Sequence, residues 1–240
     1  RLRHAVFCRE IGVAVPGAQD GIDRDGFDAD CDHIIVEDTA ISASGHRPVV
    51  GTYRALRPQA ARKGFYSETE FDIAELVARH PGRHFCEVGR SCVASSHRGM
   101  RAIEALWCGL WSYAAIHGID AYFGAASFLG TDPADHAHAL SYLHHHHVPP
   151  PQWAIGARPG QGVSMDMMAA HTIDRAAAIR SMPALVRGYM RVNAHIGRQA
   201  FIDRQFGTVD VLVITPLRDM PDSYRRHFIK ATGRTLGPAR

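Results

Sequence analysis

Two short segments of the 240-residue sequence carry residue types suited to acid–base and anion-binding chemistry. Glu87 and Arg90 lie in CEVGRSCV, and Arg54 lies in VVGTYRALR. A carboxylate such as Glu87 could take a proton from a reacting group, directly or through water. Arg54 could bind the carboxylate of an amino acid through two hydrogen bonds or pair with an acid of the protein itself. A structural ion pair is the alternative for Glu87 and Arg90.

The glycine between Glu87 and Arg90 decides whether these side chains can meet. Side chains alternate between the faces of a regular strand, so these two would point to opposite sides. Gly89 could host a β-bulge, which inserts one residue and would bring both to the same side. The sequence therefore predicts a bulged strand at this point.

An acidic segment precedes both strands. Residues 20–32 contain six aspartates, among them Asp25 and Asp28 of the motif DGFD. A carboxylate pair could hold the cationic groups of a ligand. Calcium is the rival, but a calcium loop needs glycine at its sixth and glutamate at its twelfth position. Counted from Asp23 the twelfth residue is Ile34, and counted from Asp28 the sixth is His33, so a loop of that type is excluded. A solvated acidic loop remains the other alternative.

Alternating strands and helices must position these segments. Apolar residues at helical spacing predict a short helix over residues 1–11, and the strongest helical pattern runs from Ile103 to Ala114 and ends at Gly118. Strands are predicted near 33–36, 49–56, 84–93, 121–128, 153–157, 199–203 and 209–215, and further helices near 71–79, 132–147, 174–180 and 183–194. The alternation predicts an α/β sandwich around one mixed sheet.

The composition limits the class of protein. With 46% hydrophobic and 21% charged residues, the chain is expected to be globular, and no apolar run reaches the roughly 18 residues of a membrane helix. The net charge is +3 without a basic run, so we expect no nucleic-acid partner. The basic residues are almost all arginine, which favours an acidic small molecule or an anionic carrier protein. Five irregularly spaced cysteines fit a reducing, cytoplasmic setting.

Four motifs, taken in order, resemble those of the acyl-homoserine-lactone synthases. They are an RxxxF helix with Arg3 and Phe7, the DGFD loop, the VVGTYR strand and an ExxR strand with Glu87 and Arg90. The tryptophan that lactone synthases usually carry after the first helix is replaced by Gly12 and Val13, which argues against a lactone product.

Other segments resemble more closely a branch of the GNAT superfamily. GFYSETEFD, GRSCV, YLHHHH and IDRQFGTVDV are similar to the L-ornithine N-acyltransferases of ornithine-lipid synthesis and to long-chain N-acyl amino acid synthases. This resemblance implies an α/β, GNAT-like (autoinducer-synthase-like) three-layer sandwich with a mixed, splayed central sheet. Residues 1–240 would form a single acyltransferase domain, with 145–240 an elaborated C-terminal part of it.

The resemblance also implies a function. It is the transfer of a long, 3-hydroxylated acyl chain from acyl carrier protein to the α-amine of L-ornithine, giving lyso-ornithine lipid. Glu87 would be the catalytic residue that assists deprotonation of the amine, and a backbone amide of the bulged strand would hold the oxyanion. The substrate-binding residues carried over are Arg3, Phe7, Asp25, Asp28, Arg54 and Arg90. We expect a cytoplasmic enzyme, with peripheral contact at the inner membrane face left open.

The turn after Val93 is where GNAT enzymes bind the pyrophosphate or phosphopantetheine of the acyl donor. Free amides at a helix start favour anions, and Arg98 and Arg101 add positive charge. Gly99 is the only glycine of this turn, so the glycine-rich pattern of coenzyme A users is missing. This fits the acyl-phosphopantetheine of acyl carrier protein as co-substrate. We expect no permanently bound cofactor and no metal.

Three further features stay outside this assignment. At most His144 and His147 of the run His144–His147 can share a helix face, so no metal site is predicted there. Cys86 and Cys92 leave a covalent acyl-cysteine route open. The cluster Met165–Met168 is predicted to pack in the core, with the lining of an acyl pocket as the alternative.

Two alternative functions also stay open. Within the enzymes, the chain could acylate another amino acid or make a homoserine lactone. From a different class, it could be a non-catalytic module that binds an acyl carrier or a membrane surface.

Overall fold

The computed structural model describes residues 1–13, 20–40 and 47–238, which fall into two compact units. The first unit contains Arg1–Lys63, Cys86–Ile119 and the segment that begins at Arg225. The second contains Gly64–Phe85 and Asp120–Tyr224. The expectation of a single domain with an elaborated part from residue 145 stays a prediction.

Strands and helices alternate along the chain, which confirms the predicted α/β class. The strands are β1 (Asp32–Glu37), β2 (Val49–Leu56), β3 (Phe85–Val93), β4 (Ala121–Leu129), β5 (Gly162–Ser164), β6 (His195–Asp203) and β7 (Thr208–Pro216). The α-helices are α1 (Ile73–Ala78), α2 (Met100–His117), α3 (Ala137–His146), α4 (Arg175–Ser181), α5 (Ala184–Arg191) and α6 (Asp222–Thr232). Within the described ranges no helix is long and apolar enough to cross a bilayer.

In the first unit, β2 pairs in antiparallel fashion with both β1 and β3. Every residue of β2 except Val49 is buried, as expected for a strand covered on both faces. The predicted opening helix is present as a π-helical segment, His4–Glu10. The predicted long helix is α2, and it ends at Gly118, whose φ of 64° is the left-handed conformation that a C-cap glycine adopts without strain.

The pairing of β2 with β3 contains the predicted bulge. Thr52 lies opposite Cys92 and Arg54 lies opposite Gly89, so β3 advances by one residue more than β2 over this stretch. The residue with the unusual backbone is Arg90, whose φ is 50°, and not the glycine before it. A non-glycine residue in this region costs roughly 1–2 kcal/mol, so the contacts of its side chain must compensate.

In the second unit, the strand order is β4-β7-β6-β5, and all neighbouring strands are antiparallel. All nine residues of β7 are buried, which fits its central position between two partners. The ring of Phe123 on β4 lies 5.0 Å from Phe65 and 6.2 Å from Phe85, in edge-to-face arrangements that aromatic pairs prefer.

The predicted strand near 153–157 is wrong. Residues Pro151–Trp153 form a short 3-10 helix, and Ala157 makes only an isolated bridge with Phe71. The physical reason is the turn that follows the proline run, in which the backbone N–H groups of Trp153 and Ala154 donate to the carbonyl oxygens of Pro150 and Pro151 instead of to a neighbouring strand. Helix α6 and strand β5 are elements that the periodicity did not predict.

Three buried carboxylates meet in the second unit. Glu70, Asp203 and Asp210 come from the motifs GFYSETEFD and IDRQFGTVDV, and their oxygens lie within 4.8 Å of one another. An Asp203 oxygen accepts the backbone N–H groups of Gln205 at 2.7 Å and Phe206 at 2.9 Å. Burial raises the pKa of Asp210 to about 6, and the Asp203 carboxylate contributes to the rise.

Replacement of Asp210 by asparagine is expected to raise stability at pH 7. A carboxyl group whose pKa is higher in the folded than in the unfolded chain destabilises the fold as pH rises from about 4 to about 6. A rise from 3.8 to about 6 corresponds to about 3 kcal/mol at pH 7. Urea unfolding between pH 4 and 8 should show this decline in the parent protein and a flatter profile in Asp210→Asn. An identical slope in both proteins would contradict the assignment.

Candidate active site

Three arginines and three aspartates form one cluster in the first unit. It consists of Arg3, Arg54, Arg90, Asp23, Asp25 and Asp28, and we call it the arginine–aspartate cluster. The aspartates come from the acidic segment before β1, Arg3 precedes the π-helical segment, Arg54 lies on β2 and Arg90 lies in the bulge of β3. The structure therefore brings together four segments that are far apart in the sequence.

Arg3 holds the acidic segment by two kinds of contact. Its two terminal nitrogens donate to the two oxygens of Asp28 at 2.5 and 2.6 Å, which is the bidentate geometry of a strong charge-assisted pair. It also donates to the backbone oxygen of Asp23 at 2.7 Å, and its Nε lies 3.1 Å from the Asp23 carboxylate. Burial alone would raise the pKa of Asp28, but the hydrogen bond from Arg3 lowers it well below its usual range.

Arg54 and Arg90 share Asp25. One nitrogen of Arg54 donates to the two Asp25 oxygens at 2.6 and 2.7 Å, and Arg90 donates to one of them at 3.2 Å. Burial opposes ionisation of Asp25, but the hydrogen bond and charge of Arg54 lower its pKa overall. Of the two roles that the sequence left open for Arg54, the structure contains the pairing with an acid of the protein.

Phe7 contacts the same cluster. It lies four residues after Arg3 in the π-helical segment, and the Arg90 guanidinium carbon is 5.9 Å from its ring centre. A cation over an aromatic face is attracted by the ring quadrupole. The contact with Phe7 and the pairing with Asp25 together hold Arg90 in its strained backbone conformation.

Asp23 is a member of the cluster that the sequence analysis did not select. Its side chain has no exposed surface, and its neighbours are Arg3 at 3.1 Å and Arg90 at 4.0 Å. Six aspartates within residues 20–32 gave no local signal of which ones are buried. Three formal positive and three formal negative charges are thus paired within the cluster.

Glu87 lies on the same face of the sheet as Arg54. Glu87 is opposite Leu56 and Gly89 is opposite Arg54 in the ladder, and cross-strand partners share a face. Since Arg90 reaches Asp25, which Arg54 also contacts, the bulge brings Glu87 and Arg90 to a common side. Glu87 is 6% exposed. It is therefore a buried carboxylate on the face of the sheet that also carries Arg54.

The predicted donor turn leads from β3 into α2. Val93 ends β3, a 3-10 turn covers Ser95–His97, and Gly99 is the N-cap of α2 without a side-chain cap bond. A Cβ placed on Gly99 would meet no atom within 4 Å, so the space beside the first free amides is open.

The two arginines of the donor turn differ in their surroundings. Arg98 donates to both Glu10 oxygens, which occupies its guanidinium. Arg101 is exposed in the first turn of α2. Arg101 is therefore the better placed of the two to meet an anionic group.

The two candidate cysteines are poorly suited to nucleophilic catalysis. Burial raises the pKa of Cys92 to about 12 and raises the pKa of Cys86 still further. The thiolate is the nucleophilic form, so both side chains are nearly unreactive at neutral pH. The raised pKa values therefore argue against an acyl-cysteine intermediate at either residue.

Comparison with known proteins gives the same picture as the motifs. Residues 2–108 match a family described as "Acetyltransferase (GNAT) domain". The chain is 43% identical over 241 residues to the L-ornithine N(alpha)-acyltransferase of Rhizobium meliloti, covering 99% of this chain and 81% of that protein. It is 38% identical to the L-ornithine N(alpha)-acyltransferase of Rhodobacter capsulatus, covering 96% of this chain and 89% of that protein.

Among solved structures, the chain is similar to BjaI, described as a CoA-dependent acyl-homoserine lactone synthase. The structure of BjaI with MTA gives a TM-score of 0.52 at 12% identity, covering 100% of this chain and 84% of that one. At this level of identity the similarity concerns the fold, and it agrees with the expected autoinducer-synthase-like architecture.

Proposed function

Because this chain belongs to the L-ornithine N(alpha)-acyltransferase family and is an acyltransferase, we propose that it forms an amide between a long acyl chain and the α-amine of ornithine. The observation that carries the proposal is the 43% identity to such an enzyme over 99% of the chain. The placement of Glu87 beside the arginine–aspartate cluster supports it, because amide formation needs a base near the amine. We propose acyl carrier protein as the donor, a 3-hydroxy acyl chain, and lyso-ornithine lipid as the product.

In the proposed reaction, Glu87 takes one proton from the substrate ammonium group, directly or through water, and the free amine nitrogen attacks the thioester carbonyl to form the tetrahedral oxyanion. The carbon–sulfur bond then breaks, and a second proton passes from the nitrogen to the departing sulfur, so that phosphopantetheine leaves as a thiol. The bulge residues lie outside the regular ladder between the pairs Thr52–Cys92 and Arg54–Gly89. A backbone N–H there would donate to the oxyanion.

The arginine–aspartate cluster has a positioning role in this scheme. Asp25 and Asp28 are paired with arginines, so a substrate ammonium group would have to compete with Arg3 and Arg54 for them. We propose that the cluster fixes the acidic segment against β2 and β3 and so holds Glu87 and the bulge in register. Arg3 and Phe7 would border the acceptor on the side of the π-helical segment.

A matrix of donors and acceptors tests the proposal. The purified chain is incubated with a 3-hydroxyacyl or an unsubstituted acyl chain, on acyl carrier protein or on coenzyme A. Each donor is combined with ornithine, lysine or S-adenosylmethionine, and mass spectrometry identifies the product. We expect an ornithine α-amide from carrier-protein donors. If S-adenosylmethionine is the only acceptor that gives a product, and that product is a lactone, the chain is a homoserine-lactone synthase. If the chain binds acyl carrier protein but forms no product, it is a non-catalytic binding module.

The donor turn gives a second prediction. Arg101→Glu is expected to raise the KM for the acyl donor about tenfold with kcat little changed, because it places a negative charge where the anionic donor would meet the start of α2. Arg175→Glu, at an exposed position on α4, makes the same change in net charge and is the control. Equal effects of both substitutions on KM would mean that only overall charge matters.

A cytoplasmic location follows from the proposed partners, since acyl carrier protein and ornithine are found there. The product would carry one long acyl chain and a charged amino-acid head. Transfer of such a product to a bilayer would require contact with the membrane surface, and we propose that this contact is peripheral.

A further inference from the structure

The end of helix α3 and the loop after β5 bring two imidazoles and a carboxylate together. The Nε2 atom of His145 lies 3.2 Å from one Asp166 oxygen, and the Nε2 atom of His144 lies 3.9 Å from the other. One ligand atom from each of the three residues lies within 4.8 Å of the others. All three residues belong to the second unit, and none of them has a role in the proposed acyl transfer.

The loop is fixed to the helix by contacts that do not involve the histidines. Ser141, His144 and His145 are spaced so that they share one face of α3. The Ser141 hydroxyl oxygen accepts the backbone N–H groups of Met167 at 3.1 Å and Met168 at 3.0 Å. The Met165 side chain is 1% exposed and packs in the core as predicted, but Met167 is 39% exposed, so the prediction of core packing is wrong for Met167. Asp166 is thus held opposite the two imidazoles by neighbouring residues, and such preorganisation lowers the entropic cost of binding an ion.

The spacing of these atoms suits a small tetrahedral cation. Ligand atoms about 2.0–2.1 Å from Zn²⁺ in tetrahedral geometry stand about 3.4 Å apart. The distance of 3.2 Å between His145 and one Asp166 oxygen fits this value. The three ligand atoms lie within 4.8 Å of one another, so the partly exposed His144 side chain must move by at most about 1.4 Å to bind the same ion. The His144 side chain is 37% and the Asp166 side chain 55% exposed, so an ion can enter from solvent.

A fourth oxygen is close by. The Met168 carbonyl oxygen lies 2.9 Å from His145 Nε2, where the ring N–H donates to it when no ion is bound. Exchange of that proton for a cation would leave the carbonyl, or a water molecule, to complete the coordination. Two imidazoles and one carboxylate are a ligand set that zinc uses.

We propose that His144, His145 and Asp166 form a Zn²⁺ site that ties the end of α3 to the loop of residues 164–168. The other two histidines of the run face elsewhere, with the rings of His146 and His147 at 4.7 and 5.8 Å from Tyr142. From the helical spacing, we predicted that at most His144 and His147 of this run share a helix face. The structure instead pairs adjacent histidines, because their partner lies on a separate loop across the end of the helix.

Zinc binding to the full chain, stripped of metal with a chelator, tests this site. Isothermal titration with Zn²⁺ should show a site that His145→Ala and Asp166→Asn each weaken at least tenfold. His146→Ala changes an exposed histidine of the same run and should keep the parent affinity. Zn²⁺ at 100 times its Kd should raise the Tm of the parent and of His146→Ala by about 5 °C, and raise the Tm of Asp166→Asn much less.

A second measurement separates this site from zinc held by cysteines. Co²⁺ bound by nitrogen and oxygen ligands lacks the intense thiolate charge-transfer absorption that cysteine ligands give. We expect the near-ultraviolet spectrum of the Co²⁺ protein to lack that absorption and its visible d–d bands to weaken in Asp166→Asn. Equal affinity of Asp166→Asn, His145→Ala and the parent for Zn²⁺ would overturn the proposal. Acyl-transfer activity is assayed separately, so a failed zinc site leaves the proposed function untouched.

Discussion

Replacement of Glu87 by glutamine is expected to lower kcat for amide formation by about 10²–10⁴-fold, with the KM for the acyl donor changed little. Glutamine has the shape of glutamate but cannot accept a proton at neutral pH. The substitution therefore removes base catalysis while keeping most of the packing around the side chain. Initial rates of thiol release and of amide formation measure the effect, and both should fall together.

The structural reason is the position of Glu87 in the β2–β3 ladder, three residues before Arg90, where the ladder is interrupted. Its pairing with Leu56 places it on the face that carries Arg54, and the bulge turns Arg90 to that side as well. Burial of Glu87 limits the water that could replace it as proton acceptor. Water from bulk solvent is then a poor replacement for Glu87 as the base, which is why the expected fall in kcat is large.

The basicity of the acceptor distinguishes a base from a merely structural carboxylate. A weakly basic nucleophile such as methoxyamine is already deprotonated at pH 7, so the deficit of Glu87→Gln should shrink towards parity with it. Glu104→Gln changes an exposed glutamate that pairs with His227 on the surface and should leave both rates unchanged. If the deficit is the same for methoxyamine and ornithine, Glu87 does not act as the base.

The sequence predicted the place of the bulge better than its detailed shape. Gly89 marks the interruption, but Gly89 stays in the ladder opposite Arg54 and Arg90 takes the left-handed conformation. Glycine shows where a strand can depart from regular pairing. The choice of the neighbouring residue depends on Asp25 and Phe7, which hold the Arg90 side chain and are distant in sequence.

The pairing of the charged residues could not be predicted in the same way. The motifs identified Arg3, Arg54, Asp25 and Asp28 as important, but an arginine on a strand could equally face a substrate or an acid of the protein. Which of the two occurs depends on how the acidic segment folds onto the sheet. Asp23 was missed for that reason, since its neighbours Arg3 and Arg90 come from other segments.

Replacement of Arg54 by methionine is expected to destabilise the protein by about 3–5 kcal/mol, because it leaves the half-buried Asp25 carboxylate without its main partner. Methionine keeps the length and the apolar stem of the side chain, so the loss reports mainly the charge. Arg90 still contacts Asp25 at 3.2 Å and would compensate in part. Urea unfolding, monitored by circular dichroism, measures the change.

The double variant Arg54→Met/Asp25→Asn shows whether the loss comes from an uncompensated charge. A neutral asparagine needs no cation, so we expect the double variant to recover at least half of the stability lost by Arg54→Met alone. Arg57→Met serves as a matched control, since Arg57 follows β2 and pairs with the exposed Asp32 of β1. Its loss should lower the free energy of unfolding by less than about 1 kcal/mol. If the loss of unfolding free energy in the double variant equals the sum of the losses in Arg54→Met and Asp25→Asn, the two side chains are not coupled.

The pH dependence of the free energy of unfolding tests independently whether the arginine–aspartate cluster stabilises the fold. The pKa values of Asp25 and Asp28 are lowered in the folded chain, by the arginine contacts that outweigh burial. A carboxylate with a lowered pKa contributes stability that is fully present above its unfolded value of about 4 and is lost as pH falls. The parent protein should therefore lose stability from about pH 5 downward, and the double variant, with one such carboxylate removed, should lose it less steeply. If the free energy of unfolding of the double variant falls more steeply below about pH 5 than that of the parent, the ionised Asp25 carboxylate does not stabilise the fold. The arginine–aspartate cluster would then not be what fixes the acidic segment to the sheet.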